Sequence, residues 1–184
     1  MIPIYLDPAA ARVAVIGDGP LALRRFHWLE AGGAEPEVWS LVPSSELAAA
    51  AGALLTRRLP SRAELACYHA VWIADLPIEQ AEDLFAIARR MRVLVNVEDV
   101  QRLCAFHTPA VVRRGQLTLA AGTGGASPAV ARAARERLED AFPPQWGAAL
   151  EEIAKSRSAL REQRASFDEL VSDARKRLAE HGLV

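Results

Sequence analysis

Cysteine is scarce: the chain has 2 in 184 residues. Cys67 and Cys104 lie far apart and form no CxxC pair, which argues against a disulfide scaffold and against a cysteine zinc site. The four histidines, His27, His69, His107 and His181, share no metal-ligand spacing, so no metal site is expected. No apolar stretch approaches the ~18 residues needed to span a membrane. The N-terminal MIPIYLDP lacks the basic region and apolar run of a secretory leader. Together these features predict a cytoplasmic protein. Charge of one sign is missing too: 22 basic against 23 acidic side chains leave a net charge of −1 and no global reason to bind nucleic acid.

What is present is a globular composition, 51% hydrophobic and 24% charged. The length suits one ordinary domain with a smaller annex. Residues 12–17 (RVAVIG) form a short β-branched run ending in glycine, the pattern of a buried strand. Apolar residues at helical spacing follow from Pro20 to Ala31, and Gly32-Gly33 ends that helix. Strands are expected at 37–42, weakly at 53–59, at 69–74 and at 92–97. Between them fall an alanine-rich helix capped by Ser44, a short helix opened by the capping box Ser61–Glu64, and a helix from Pro77 to Arg90. This alternation predicts an α/β fold with a parallel, doubly wound sheet.

After about residue 100 the pattern changes. Pro109 to Val112, a turn at Arg113-Arg114-Gly115 and a strand from Gln116 to Ala121 lead to the loop GTGGAS and a helix over 128–141. Pro143-Pro144 marks a break, and the rest, to about Glu180, reads as helical and rich in Arg and Glu. Residues 107–184 carry 12 basic and 10 acidic side chains against 10 and 13 in residues 1–106, so an acidic ligand would prefer the second part.

Three segments carry chemistry. Gly17-Asp18-Gly19-Pro20-Leu21-Ala22 lies between a strand and a helix, as the dinucleotide fingerprint GxGxx(G/A) requires. Gly17 permits the tight turn, Gly19 lets the backbone approach a pyrophosphate, and Ala22 allows close helix–strand packing. The plainer reading is a tight turn without cofactor. Asp18 puts a carboxylate near the expected pyrophosphate, unless it points to solvent or caps the helix. No acid follows about 20 residues on, where Leu41 and Val42 stand, and no arginine replaces it. The second segment, Val95-Asn96-Val97-Glu98-Asp99, ends a predicted strand where open α/β sheets gather ligands. A carboxylate there could accept a proton as a hydride leaves for nicotinamide, whereas spacing alone favours a solvated acid pair. The third, Gly122-Thr123-Gly124-Gly125-Ala126-Ser127-Pro128, frees the backbone and caps the next helix, whose N-terminus attracts anions; locally it reads as well as a capped helix and nothing more.

VAVIGDGPLALRR (13–25), LEAGGA (29–34), VLVNVED (93–99), LCAFHTPAVVRRGQLTLA (103–120) and GTGGASPAVARAARERLE (122–139) occur in this order. With them, the chain resembles the precorrin-2 dehydrogenase/sirohydrochlorin ferrochelatase family, which includes the N-terminal module of siroheme synthases. The resemblance implies a Rossmann domain binding NAD over residues 1–106, a dimerisation region over 107–142 and a helical C-terminal domain over 143–184, in a homodimer. It implies oxidation of the tetrapyrrole precorrin-2 to sirohydrochlorin, with Fe²⁺ insertion in some members. It assigns Asp99 and Ser127 as catalytic. It assigns Gly17, Asp18, Gly19, Pro20, Leu21, Leu41, Val42, Ala74 and Asp75 to the cofactor. Asn96, Gly124 and Gly125 go to the substrate, and Arg113, Arg114 and Arg132 are suited to its carboxylates by charge. The family's GGG is Gly17-Asp18-Gly19 here, and its ATDD stretch is reduced to Ala74-Asp75. Two alternatives stand beside this reading: a non-catalytic homologue that holds a tetrapyrrole or nucleotide, and a Rossmann dehydrogenase for another acidic substrate.

Overall fold

The structure is a computed structural model describing residues 1–184. Its first compact unit spans Met1–Thr108 and its second Pro109–Val184.

The first unit is built on five parallel strands: β1 (Val13–Gly17), β2 (Glu37–Trp39), β3 (Leu55–Thr56), β4 (Ala70–Ala74) and β5 (Leu94–Val97), in spatial order β3-β2-β1-β4-β5. Every residue of β1 and β4 is buried, because a parallel sheet is covered on both faces and its central strands tolerate no polar side chain. Successive side chains point to opposite faces. Val13 and Val15 therefore join Phe26 and Leu29 of helix α1 (Pro20–Glu30) and Leu47 of α2 (Ser45–Ala51). Ala14 and Ile16 join Leu65 of α3 (Arg62–Leu65) and Ala81, Leu84 and Ala88 of α4 (Ile78–Arg90) on the other face. The sheet is doubly wound, as the alternation predicts.

Caps follow the sequence. Ser44 Oγ accepts from the Leu47 amide at 3.1 Å, and Ser61 with Glu64 makes the full capping box. All five strands are shorter than expected, β2 and β3 the most. β2 stops at Trp39 because the Leu41 and Val42 amides turn away to the Asp18 side chain. The stretch 53–59 gives only the two residues of β3, preceded by a 3₁₀ turn at Gly52–Leu54.

The second unit begins with a hairpin, β6 (Ala110–Arg114) and β7 (Leu117–Ala121). Arg113 and Arg114 belong to the strand, paired with Thr118 and Leu117, and the turn narrows to Gly115-Gln116. Gly115 supplies the positive φ, +57°, that a two-residue loop needs. Helix α5 (Pro128–Ala141) follows the glycine loop, and the remainder divides into α6 (Gln145–Glu162) and α7 (Phe167–Glu180). A second capping box, Ser166 with Glu169, opens α7 and enforces that break.

Candidate functional site

Ligands of such sheets gather at the carboxyl edge, and four acidic side chains of the first unit stand there. Their positions follow from the register. Gly17 pairs with Ala74, so Asp75, the next residue, lies opposite the glycine turn. A Cβ on Gly17 would fall 1.9 Å from the Ala74 carbonyl oxygen, so only glycine lets β1 and β4 close up here.

Helix α1 starts with an incomplete donor set. The first turn of any helix leaves its N–H groups unpaired. Pro20 has none, which leaves Leu21 and Ala22 as the open donors. Both are taken by one atom: Asp75 Oδ2 accepts from Leu21 N at 2.7 Å and Ala22 N at 2.9 Å. The Asp75 carboxylate also covers Gly19, where a Cβ would meet its Cγ and Oδ2 at 2.9 Å. The glycine turn is thus a formed anion cradle, and a carboxylate of the same chain stands in for the anion. Its donors fit a dinucleotide pyrophosphate, and Asp75, an exposed residue, sits on them.

Asp18 lies elsewhere. It neither caps α1, whose N-cap Gly19 has no side-chain bond, nor faces those amides. Its Oδ1 accepts from Ser40 Oγ at 2.5 Å, Leu41 N at 2.9 Å and Val42 N at 3.1 Å. A carboxylate therefore stands at the end of β2, where the sequence itself places none. Beside it Leu41 and Val42 are 46% and 76% exposed.

The acid pair after β5 divides. Glu98 turns inward, its side chain 7% exposed, and is held by Arg24 and Arg25 of α1. Asp99 remains exposed in a left-handed conformation, φ +61°. Asn96 is buried at 6% exposure, and its Nδ2 donates to the Phe106 carbonyl at 2.8 Å. Its amide is thus occupied in fastening the segment after β5. Below the same strand, burial pushes the Cys104 thiol pKa up.

In the second unit Ser127 caps α5, accepting from Val130 N at 3.3 Å, and Thr123 Oγ1 accepts from the Ser127 amide at 3.2 Å. Gly124 and Gly125, with φ of +67° and +83°, make the bend that brings Thr123 to Ser127. Arg114 is occupied: its Nε donates to the Phe142 carbonyl at 2.7 Å and its Nη2 to that of Glu139 at 3.3 Å, satisfying the end of α5. Arg132 is 78% exposed and touches Glu136 at 3.3 Å. No group of three or more His, Cys, Asp or Glu side chains is arranged to hold a metal ion, and no helix is long and apolar enough to cross a membrane.

Two features escaped the sequence reading. The contact of Asp75 with α1 was legible in principle, since strand order β1-β4 puts the residue after β4 beside the glycine turn. The turn of Asp18 toward β2 had a weaker signal, Ser40, a polar residue at a position that becomes fully buried.

A parallel sheet of this order, its first strand closed by glycines on a helix N-terminus, defines a Rossmann-type nucleotide-binding fold. A family model described as "Putative NAD(P)-binding" matches residues 4–110, more than half of the chain, and the chain belongs to that family. It is 31% identical over 165 residues to a siroheme synthase of Nitrosococcus oceani, covering 88% of this chain and 35% of the relative. It is 33% identical over 158 residues to siroheme synthase 1 of Pectobacterium atrosepticum, covering 84% and 33%. The chain spans about a third of the length of these curated relatives. The solved structure of SirC, precorrin-2 dehydrogenase, shares the fold over 100% of both chains, with a TM-score of 0.70 and 20% identity.

Proposed function

We propose that the chain oxidises precorrin-2 to sirohydrochlorin with NAD⁺, as a cytoplasmic homodimer. The carrying observation is the anion cradle of Gly17, Gly19 and the Leu21 and Ala22 amides at the same sheet edge as the exposed carboxylate of Asp99. The siroheme synthase relatives supply the substrate class. When bound, NAD⁺ supplies the hydride acceptor.

The chain's own residues divide the remaining work. The α1 amides would hold the pyrophosphate by hydrogen bonds reinforced by the helix dipole. Asp18, held at the end of β2, would accept from ribose hydroxyls through Oδ2, and its charge would disfavour a 2′-phosphate, favouring NAD over NADP. The exposed Leu41 and Val42 give an apolar seat for adenine. Asp99 accepts the proton that leaves the macrocycle as the hydride departs. Arg113 and Arg132 pair with substrate carboxylates, and Ser127 with Gly124 and Gly125 presents the α5 N-terminus to one of them. Fe²⁺ insertion is a separate reaction in which the ion is substrate.

Anaerobic incubation of the chain with precorrin-2 and NAD⁺ tests the proposal. Sirohydrochlorin absorbance should rise in step with NADH, and added Fe²⁺ then reports insertion. Unchanged precorrin-2 in the presence of folded protein rejects the dehydrogenase. One observation favours the second reading, a chain that holds a tetrapyrrole without oxidising it: the cradle's two open amides are already bound to Asp75.

A further inference from the structure

We propose that Asp75 is a displaceable internal anion that sets the affinity of the glycine turn for dinucleotides. The inference rests on the reading of that turn as a pyrophosphate site. Because Pro20 contributes no N–H, the first turn of α1 offers Leu21 N and Ala22 N, and Asp75 Oδ2 accepts from both. A pyrophosphate needs the same two donors. It also needs the close approach over Gly19, where Asp75 Cγ and Oδ2 already lie 2.9 Å from a built Cβ. Two anions cannot share this volume: the contact is steric, and like charges a few ångströms apart repel. The phosphate therefore enters only as the carboxylate leaves, and the hydrogen bonds that Asp75 gives up are subtracted from the binding free energy.

Displacement is feasible because Asp75 is exposed and its side chain can turn into water. Its backbone is less free. At φ +56° it occupies the left-handed region, which Asp, Asn and Gly tolerate and other residues resist. Asp75→Asn and Asp75→Gly thus remove the charge without straining the strand end.

Isothermal titration of the full chain with NAD⁺ and with adenosine, which lacks phosphates, provides the test. Asp75→Gly should bind NAD⁺ about tenfold more tightly than the parent chain, about 1.4 kcal/mol; Asp75→Asn, which keeps the volume and an accepting oxygen but not the charge, should gain less, and both should bind adenosine with unchanged affinity. Circular dichroism confirms that each protein is folded. Equal, measurable NAD⁺ affinity in all three proteins overturns the role of Asp75 and leaves the dinucleotide reading intact. An equal gain for adenosine also overturns it, because the effect is then not at the phosphate. Absence of NAD⁺ binding in all three overturns both.

Discussion

Glu98 and Arg25 meet fork to fork: Arg25 Nε donates to Oε2 and Nη2 to Oε1, each at 2.8 Å, with side chains 7% and 14% exposed. The pair ties the turn after β5 to helix α1. Removing one partner of a buried ion pair strands the other charge, which costs more than deleting both. Glu98→Ala should cost about 3 kcal/mol in urea unfolding. The double substitution Glu98→Leu with Arg25→Met should cost less than that single change. A Glu98→Ala effect within about 0.5 kcal/mol, the range of ordinary surface substitutions, would show that the pair does not hold the turn.

Asp99 follows that turn and keeps its carboxylate exposed. Asp99→Asn suits the left-handed backbone and removes only the base. NADH production should fall about 10²–10⁴-fold, the usual contribution of a general base, while the NAD⁺ dissociation constant stays the same. Turnover equal to the parent's removes Asp99 from the mechanism.

Asp18 should govern the choice between the two nicotinamide dinucleotides. A carboxylate about 4 Å from a phosphate in a water-like medium costs about 1 kcal/mol. Asp18→Asn should therefore reduce the preference for NAD⁺ over NADP⁺ by about fivefold in competition titrations. An unaltered ratio means that the carboxylate does not face the ribose.

Much of this arrangement was legible in the sequence because it is local. The buried strand VAVIG, the Ser61–Glu64 box and the Ser127-Pro128 helix start each depend on neighbours within one turn. The hairpin turn was read one step early because Arg113 and Arg114 look like loop residues. They are held in β6 by ladder bonds to Leu117 and Thr118, which no composition reveals. The partners of the acidic residues could be read only through the strand order, which sets Asp75 beside the glycine turn, and not from local pattern. Asp18 meets residues 22 to 24 positions away, Asp75 meets residues 53 and 54 away, and Glu98 reaches across 73 and 74. Side-chain pairing at such distances is decided by strand order.

Acid stability should report on a second network. The Tyr68 hydroxyl donates to Glu37 at 2.7 Å and accepts from Trp39 Nε1 at 2.8 Å, and Arg12 completes the group. Tyr68 first, then Arg12, hold the Glu37 carboxyl below its ordinary range against the opposing effect of burial. Arg58 and the Ser61 cap hold Glu64 down at about 2. A carboxyl depressed by folding stabilises above its unfolded pKa and loses that contribution as pH falls through the folded value. Glu37→Gln and Glu64→Gln should thus be less stable than the parent at neutral pH, with the gap closing as pH drops toward 2. A gap that persists in acid assigns the loss to shape rather than charge.

Gly17 imposes a rule on how the cradle can be probed. Its missing side chain is required by the neighbouring strand, since the space beyond it is already filled by the Ala74 carbonyl. An alanine there would wedge the middle of the sheet apart, and any lost activity would mirror a damaged scaffold. Variation at Asp75, at the rim, interrogates the ligand while leaving the architecture whole.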